Sequence, residues 1–286
     1  MDVFRSKSAL AHQFHDYVYH NLGDSALLSG ADGPLLLSPT PKRFVPVPGA
    51  VWVHNRSYLF PGWHVFKEVK SSTEYGGDVT VDFSASKLTP SPAHMRLFVP
   101  GMPGREYSQA LAPYAKEAPE PYDKAPTPVL VVRQNGEAWT RPFAAIFEAS
   151  SGGRNAASVQ SVTALDGGGS FAGFKVVSQI NLHSLTQYVL VQPSAVSVFE
   201  DAQLGISFRG RYAIVTVNDR DECTSLYLGE GSRLRFKGIE MTSVKGGSTA
   251  ASAELRGGTA TVTANAPAEL VLPGGKRIAA QVMTAK

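Results

Sequence analysis

Residues 128–148, PVLVVRQNGEAWTRPFAAIFE, decide the fold. Two runs rich in Val, Leu, Phe and Ile flank Asn135-Gly136, a dipeptide that supplies the positive φ values a tight type I′ turn requires. The spacing predicts a β-hairpin in which residues 129–134 return as residues 137–147. Pro142 must then fall at a bulge or an edge, because it has no amide to donate to a ladder. On the second strand Trp139 and Arg141 alternate onto one face. A guanidinium beside an indole suits a uronate carboxylate on a sugar ring, and it equally suits a cation–π contact that pins the sheet. Glu137 and Glu148, at the strand ends, read as solvated carboxylates.

The same rhythm runs through the chain. Its 27 glycines and 19 prolines punctuate short runs of Val, Phe, Tyr, Thr and Leu, an all-β pattern. Residues 79–83 alternate Val79, Val81 and Phe83 against Thr80 and Asp82, as a half-buried strand does. Residues 105–116, REYSQALAPYAK, offer the best helical spacing. Pro113 interrupts it, so it reads as a turn or two within a long irregular stretch, residues 101–127. Trp52 and Trp63 read as core fillers or, if exposed, as sugar platforms. From about residue 246 aromatics vanish and Gly, Ala, Ser and Thr dominate. The expected architecture is a large antiparallel β-sandwich, supersandwich-like, over residues 1–240, followed by a small C-terminal β-module over residues 241–286.

Residues 2–23, DVFRSKSALAHQFHDYVYHNLG, hold three of the seven histidines. As a strand, their second half places His15, Tyr17 and Tyr19 on one face and Asp16, Val18 and His20 on the other. Such a face meets a polar ligand or another domain, or it is a half-buried sheet surface of aromatic strand formers. His12 and His20 differ in parity from His15, so no metal site is expected of the three. No Ser-His-Asp order, Cys-His pair, nucleotide loop or paired-carboxylate spacing stands out. The triglycine in residues 166–170 precedes no helix and is no phosphate cradle.

Charge narrows the partners. Twenty-seven basic against 24 acidic residues give a net +3 without a block of like charge, which argues against nucleic acid and membrane surfaces. Acidic sugars stay compatible, since an anion site needs only a few converging Arg or Lys side chains. The single cysteine, Cys223, excludes an internal disulfide and reads as a small buried hydrophobe. The opening residues show no signal peptide, and no apolar run is long enough to span a bilayer. Either the protein is cytosolic or Met1 is not the native start; a strand directly after Met1 favours the second.

The segment DVFRSKS followed by HDYVYHNLG resembles the strand pair that follows the catalytic segment in heparinase II/III-like polysaccharide lyases. GWHVFKEVKSS and residues 128–148 are similar to later strands of the same β-region, in order. The likeness covers roughly residues 1–200 and thins beyond. It implies an α/α-toroid that carries a Tyr and a His for uronate β-elimination, and a β-sandwich that adds a His and a zinc site. In the family those β-side residues belong to an H-x-H-x-D run and a later His-Asn pair, ahead of the strand that Asp2 to Arg5 resembles. This chain has no H-x-H and no toroid, so no catalytic residue or zinc ligand is carried over, and no cofactor is expected within it.

The resemblance thus implies a non-catalytic β-sandwich that walls the substrate groove of a parent lyase, periplasmic or secreted. Its partners would be an acidic polysaccharide or oligosaccharide and the missing toroid. The carbohydrate-binding residues expected are His15, Tyr17, Tyr19, Trp139 and Arg141. A free-standing carbohydrate-binding or mutarotase-like β-sandwich, using the same residues, and a purely structural module remain as alternatives.

Overall fold

A computed structural model describes residues 1–7, 14–44, 65–152, 158–180 and 183–283. His12, Trp52, Trp63 and the strand expected at residues 51–60 lie outside the described residues. Every regular element described is a β-strand, as the Gly/Pro punctuation predicts. Contacts divide the chain into two compact units, Met1–Ala157 and Ser158–Lys286.

The first unit is a sandwich of two antiparallel sheets. Its strands are β1 (Asp2–Phe4), β2 (Phe14–His20), β3 (Ser25–Gly30), β4 (Gly33–Pro34), β5 (Ser38–Pro39), β6 (Lys67–Ser71), β7 (Val79–Ala85), β8 (Ala93–Val99), β9 (Arg105–Ala112), β10 (Thr127–Asn135) and β11 (Phe143–Ser151). One sheet runs β1-β11-β8-β7-β3-β4 and the other β2-β10-β9-β6-β5. Val81, Phe83, Leu97, Phe143 and Ala145 of the first pack against Tyr107, Leu130 and Val132 of the second, and all are buried. The opposite face of the second sheet is covered as well, by Phe44 and Phe66 against Val69, Ala110, Val129 and Val131. Both faces of β10 are therefore dry, which is why VLVV is a continuous apolar run rather than an alternation.

The hairpin predicted from Asn135-Gly136 does not form. β10 pairs with β2 and β9, while β11 pairs with β1 and β8, so the two runs belong to opposite sheets. Gly136 takes φ +82° but Asn135 stays in β10, so the φ pair a type I′ turn needs is absent. The chain turns a corner across the sandwich, and residues 136–142 form a bend, so Trp139 and Arg141 stand on a connection and not on a strand.

A second correction concerns residues 105–112, expected as loop or helical turn. They form β9, hydrogen-bonded between β10 and β6. Its polar letters mislead because each is satisfied internally: Ser108 Oγ lies 2.8 Å from Ser71 Oγ, Glu106 pairs with Arg43, and Arg105 is bonded within the core.

The second unit is one branched 12-stranded sheet with a single core. Its strands are β12 (Val159–Leu165), β13 (Ala172–Ile180), β14 (His183–Val191), β15 (Val198–Asp201), β16 (Ile206–Val217), β17 (Cys223–Phe236), β18 (Ile239–Ser243), β19 (Thr249–Arg256), β20 (Thr259–Ala264), β21 (Ala268–Val271), β22 (Arg277–Ala279) and β23 (Gln281–Val282). Along one edge of β17, Ser225 to Gly231 pair with β19 while Arg233 to Phe236 pair with β18. Phe208, Leu228, Leu234, Met241, Ala253, Val262 and Leu270 fill the core between the branches. At the fork Gly210 and Gly231 face each other so closely that a Cβ on Gly231 would lie 2.9 Å from the Gly210 Cα.

The contacts part at residue 157/158, whereas the composition shift placed the boundary at 240/241. Residue 240 lies inside β18, whose Met241 pairs with Leu234 of β17. The small residues after 246 are the branch strands of this sheet, where Ala251 and Ala253 fit between close-packed neighbours.

Candidate functional site

The parity predicted for β2 holds, and pairing fixes what each face meets. His15, Tyr17 and Tyr19 lie opposite Gln134, Val132 and Leu130, the inward face of β10. Tyr17 stacks on Phe143 with centroids 5.8 Å apart, and Tyr19 meets Phe83 and Phe147 at 5.4 and 5.1 Å. The Tyr17 hydroxyl donates to Asp2 Oδ2 at 2.9 Å, and burial together with that carboxylate raises its pKa. These two rings close the sandwich. The side they share is the one that carries the inter-sheet core, against which both are partly buried.

On the other face Asp16 receives both Nε and Nη2 of Arg133, at 2.7 and 2.8 Å, and Arg133 lies 3.7 Å from the Phe14 ring centre. His20 meets Phe66 edge-on, and burial lowers its pKa. Among the described residues no three His, Cys, Asp or Glu side chains converge as metal ligands would.

His15, Trp139 and Arg141 do come together, around the bend at residues 136–142. His15 Nδ1 donates to the Gly136 carbonyl at 2.8 Å, so in the neutral ring Nε2 is left to accept from Ser6 Oγ at 2.9 Å. Ser6 and Ala138 exchange backbone hydrogen bonds, at 2.8 and 3.2 Å. From the exposed side the Glu137 carboxylate accepts from the Thr140 hydroxyl and the Trp139 and Thr140 amides. Those bonds, the Thr140 hydroxyl first, lower its pKa. From the buried side Gln134 donates to the carbonyls of Glu137 and Arg141, at 2.8 and 3.0 Å.

Behind Gln134 sits Arg105, 1% exposed. It donates to Gln134 Oε1 at 3.0 Å, to the Pro142 carbonyl at 2.8 Å and to the Pro100 carbonyl at 3.3 Å, and it packs 4.8 Å from the Phe143 ring centre. All three acceptors are neutral. Burial, and to a smaller extent the nearby charge of Arg141, lower its pKa to about 10. The bend is thus held from three sides before any ligand arrives.

What the bend presents is an indole with one cation over it and a second, Arg141, elsewhere on the same bend. The Lys7 ammonium lies 4.4 Å from the Trp139 ring centre. Arg141 donates to the Asn135 carbonyl at 2.8 Å and is half-buried beside Gly136 and Gly104. No local signal in the sequence marks Lys7, since only the long-range pairing of Ser6 with Ala138 brings it over the ring. The chemistry suits an acidic sugar: ammonium and guanidinium for a carboxylate or sulfate, indole for a ring face.

The second unit has a separate concavity of about 640 Å³ floored by Cys223, Ile239, Leu255, Leu272 and Pro273. No aromatic ring lines it. Burial pushes the Cys223 thiol up to about 12, so it serves as a small apolar side chain and not as a nucleophile.

Comparison with known proteins bears on both units. Residues 159–254 match the endo-acting ulvan lyase C-terminal domain family. Over 244 residues, 85% of the chain, the sequence is 37% identical to an endo-acting ulvan lyase of Formosa agariphila. The chain spans 28% of that relative's length. Both likenesses are to a polysaccharide lyase, the family match to a C-terminal domain, and neither singles out the heparinase II/III-like lyases. The family match falls in the second unit, β12 to β19, and so extends past residue 200, where the expected likeness thinned.

Proposed function

We propose that this chain is the non-catalytic β-sheet region of a lyase that cleaves a uronate-containing, acidic polysaccharide, ulvan in the relative, and that the bend at residues 136–142 contacts the glycan. The observation that carries the reading is the 37% identity to the endo-acting ulvan lyase over 244 residues. The prearranged bend supports it, since a loop already fixed by Gln134, His15 and Glu137 loses little entropy on binding. Trp139, Arg141 and Lys7 are the contacting residues, and His15 is a positioning residue. The parent would be heparinase II/III-like, with its toroid supplying the base and acid for β-elimination and this region walling the groove.

Two measurements test it. Calorimetric titration with ulvan oligosaccharides should show binding that Trp139→Ala weakens, and a flat titration of the native chain removes the reading. Incubation with ulvan should give no rise in unsaturated-uronate absorbance; sustained turnover would overturn the non-catalytic assignment.

A further inference from the structure

The outward face of the second unit carries like charges in register. In an antiparallel ladder directly paired residues share a face, and Arg209 of β16 pairs with Arg233 of β17 while Ser207 pairs with Arg235. The next strands extend both rows: Glu200 of β15 lies opposite Ser207, and Glu240 of β18 opposite Arg235. Phe208, Leu234 and Phe236, the intervening residues, are buried, so the arginines cannot turn inward. Like charges directly opposite in a sheet are destabilising. Glu240 answers Arg233, Nε to Oε1 at 3.1 Å, and Asp221 answers Lys237. Arg209 and Arg235, both exposed, form no ion pair among the described residues.

This face is concave. Glu200, Asp201, Ser207, Arg233, Arg235 and Lys237 line a depression of about 330 Å³, with the bare backbone of Gly205 and Gly238 at its side. We propose that the depression over β15–β18 is a second binding site for an acidic glycan: Arg233 and Arg235 in its lining hold carboxylate or sulfate groups, Arg209, paired with Arg233 beside it, extends the row of cations for the next one, and Glu200 and Ser207 take its hydroxyls. The planar guanidinium fork matches both kinds of acid group, and a bound anion relieves the Arg209/Arg233 repulsion. Two carboxylates among the cations suit a ligand that alternates acid groups with hydroxyl donors. They disfavour a nucleic acid, whose phosphates they repel, and no aromatic ring is present for bases to stack on. The site goes beyond the reading of the 136–142 bend and shares no residue with it.

The test is calorimetric titration of the full chain with dextran sulfate, polygalacturonate and neutral dextran, at low and raised salt. The native chain should bind at least one of the two acidic polymers, more weakly as salt rises, and should not bind neutral dextran. The double variant Arg209→Gln/Arg235→Gln should bind that polymer at least tenfold more weakly while unfolding at the same or a higher temperature. Arg235→Lys, which keeps the charge and loses the fork, should fall between the two. Which polymer binds tells sulfate from carboxylate. Trp139→Ala should leave this binding in place, so failure of the first site and failure of the second are told apart. No binding of either acidic polymer, unchanged affinity in the double variant, or equal affinity for single-stranded poly(dT) would each overturn the proposal.

Discussion

His15 and Gly136, 121 residues apart in sequence, are joined by a 2.8 Å hydrogen bond from the imidazole Nδ1 to the carbonyl. That bond ties strand β2 to the bend that carries Trp139 and Arg141. Replacing His15 by Ala should cost about 1–2 kcal/mol, the net worth of its hydrogen bonds and their partly buried partners. Denaturant midpoints measure the loss. Glycan affinity should fall with it, because the variant loosens the bend without removing a contacting residue.

Gln134 braces the same bend from inside and is fully buried. Gln134→Leu leaves the carbonyls of Glu137 and Arg141 and one donor of Arg105 without a partner, and should destabilise by roughly 1–3 kcal/mol. Chemical denaturation checks the magnitude; an unchanged midpoint would mean that water replaces the amide.

The Asp16–Arg133 pair is nearly dry, with side chains 4% and 16% exposed. Asp16→Asn strips the charge that answers Arg133, whose guanidinium stays held over Phe14, and should cost about 3–5 kcal/mol. The joint replacement Asp16→Leu/Arg133→Met should recover much of that, because both desolvation costs vanish together. A double-mutant cycle on unfolding free energies decides it.

Tyr107 is 0% exposed, and burial first of all raises its pKa to about 12 from an ordinary 10. The phenol therefore keeps its proton in the folded chain between those values and loses it in the unfolded one. Its contribution is fully present below pH 10 and is lost as pH climbs toward 12. A Tyr107→Phe variant should show a flatter decline in stability over that window, followed by unfolding at fixed pH steps.

At the fork of the second sheet, a Cβ on Gly231 would sit 2.5 Å from Leu228 Cδ1 and 2.7 Å from the Arg209 carbonyl oxygen. Gly231→Ala should destabilise by about 1–3 kcal/mol through overpacking. Gly247→Ala, with no atom within 4 Å of its added carbon, should stay within about 0.5 kcal/mol of the native chain. Thermal melts of the two distinguish close approach from a general effect of the added methyl.

The alternation of residues 14–20 and the Gly/Pro punctuation were legible because each is a local property: a strand sends successive side chains to opposite faces wherever it lies. Residues 105–112 were not legible, since Arg105, Glu106 and Ser108 read as solvated until their partners at 134, 43 and 71 are known. The strand expected to carry Trp139 and Arg141 is a bend, and Lys7 reaches the Trp139 ring only through the pairing of Ser6 with Ala138, 132 residues apart in sequence.

The sequence by itself determined that this is a β protein and that His15, Tyr17 and Tyr19 share a face. Only the tertiary structure decided that β10 and β11 part into different sheets, that the tyrosine face looks inward, and that Arg209 and Arg233 stand side by side. The reason is physical: φ/ψ preference and side-chain alternation are written within a few residues, whereas strand partnership is chosen by which distant surfaces bury one another, and that choice sets what each face meets.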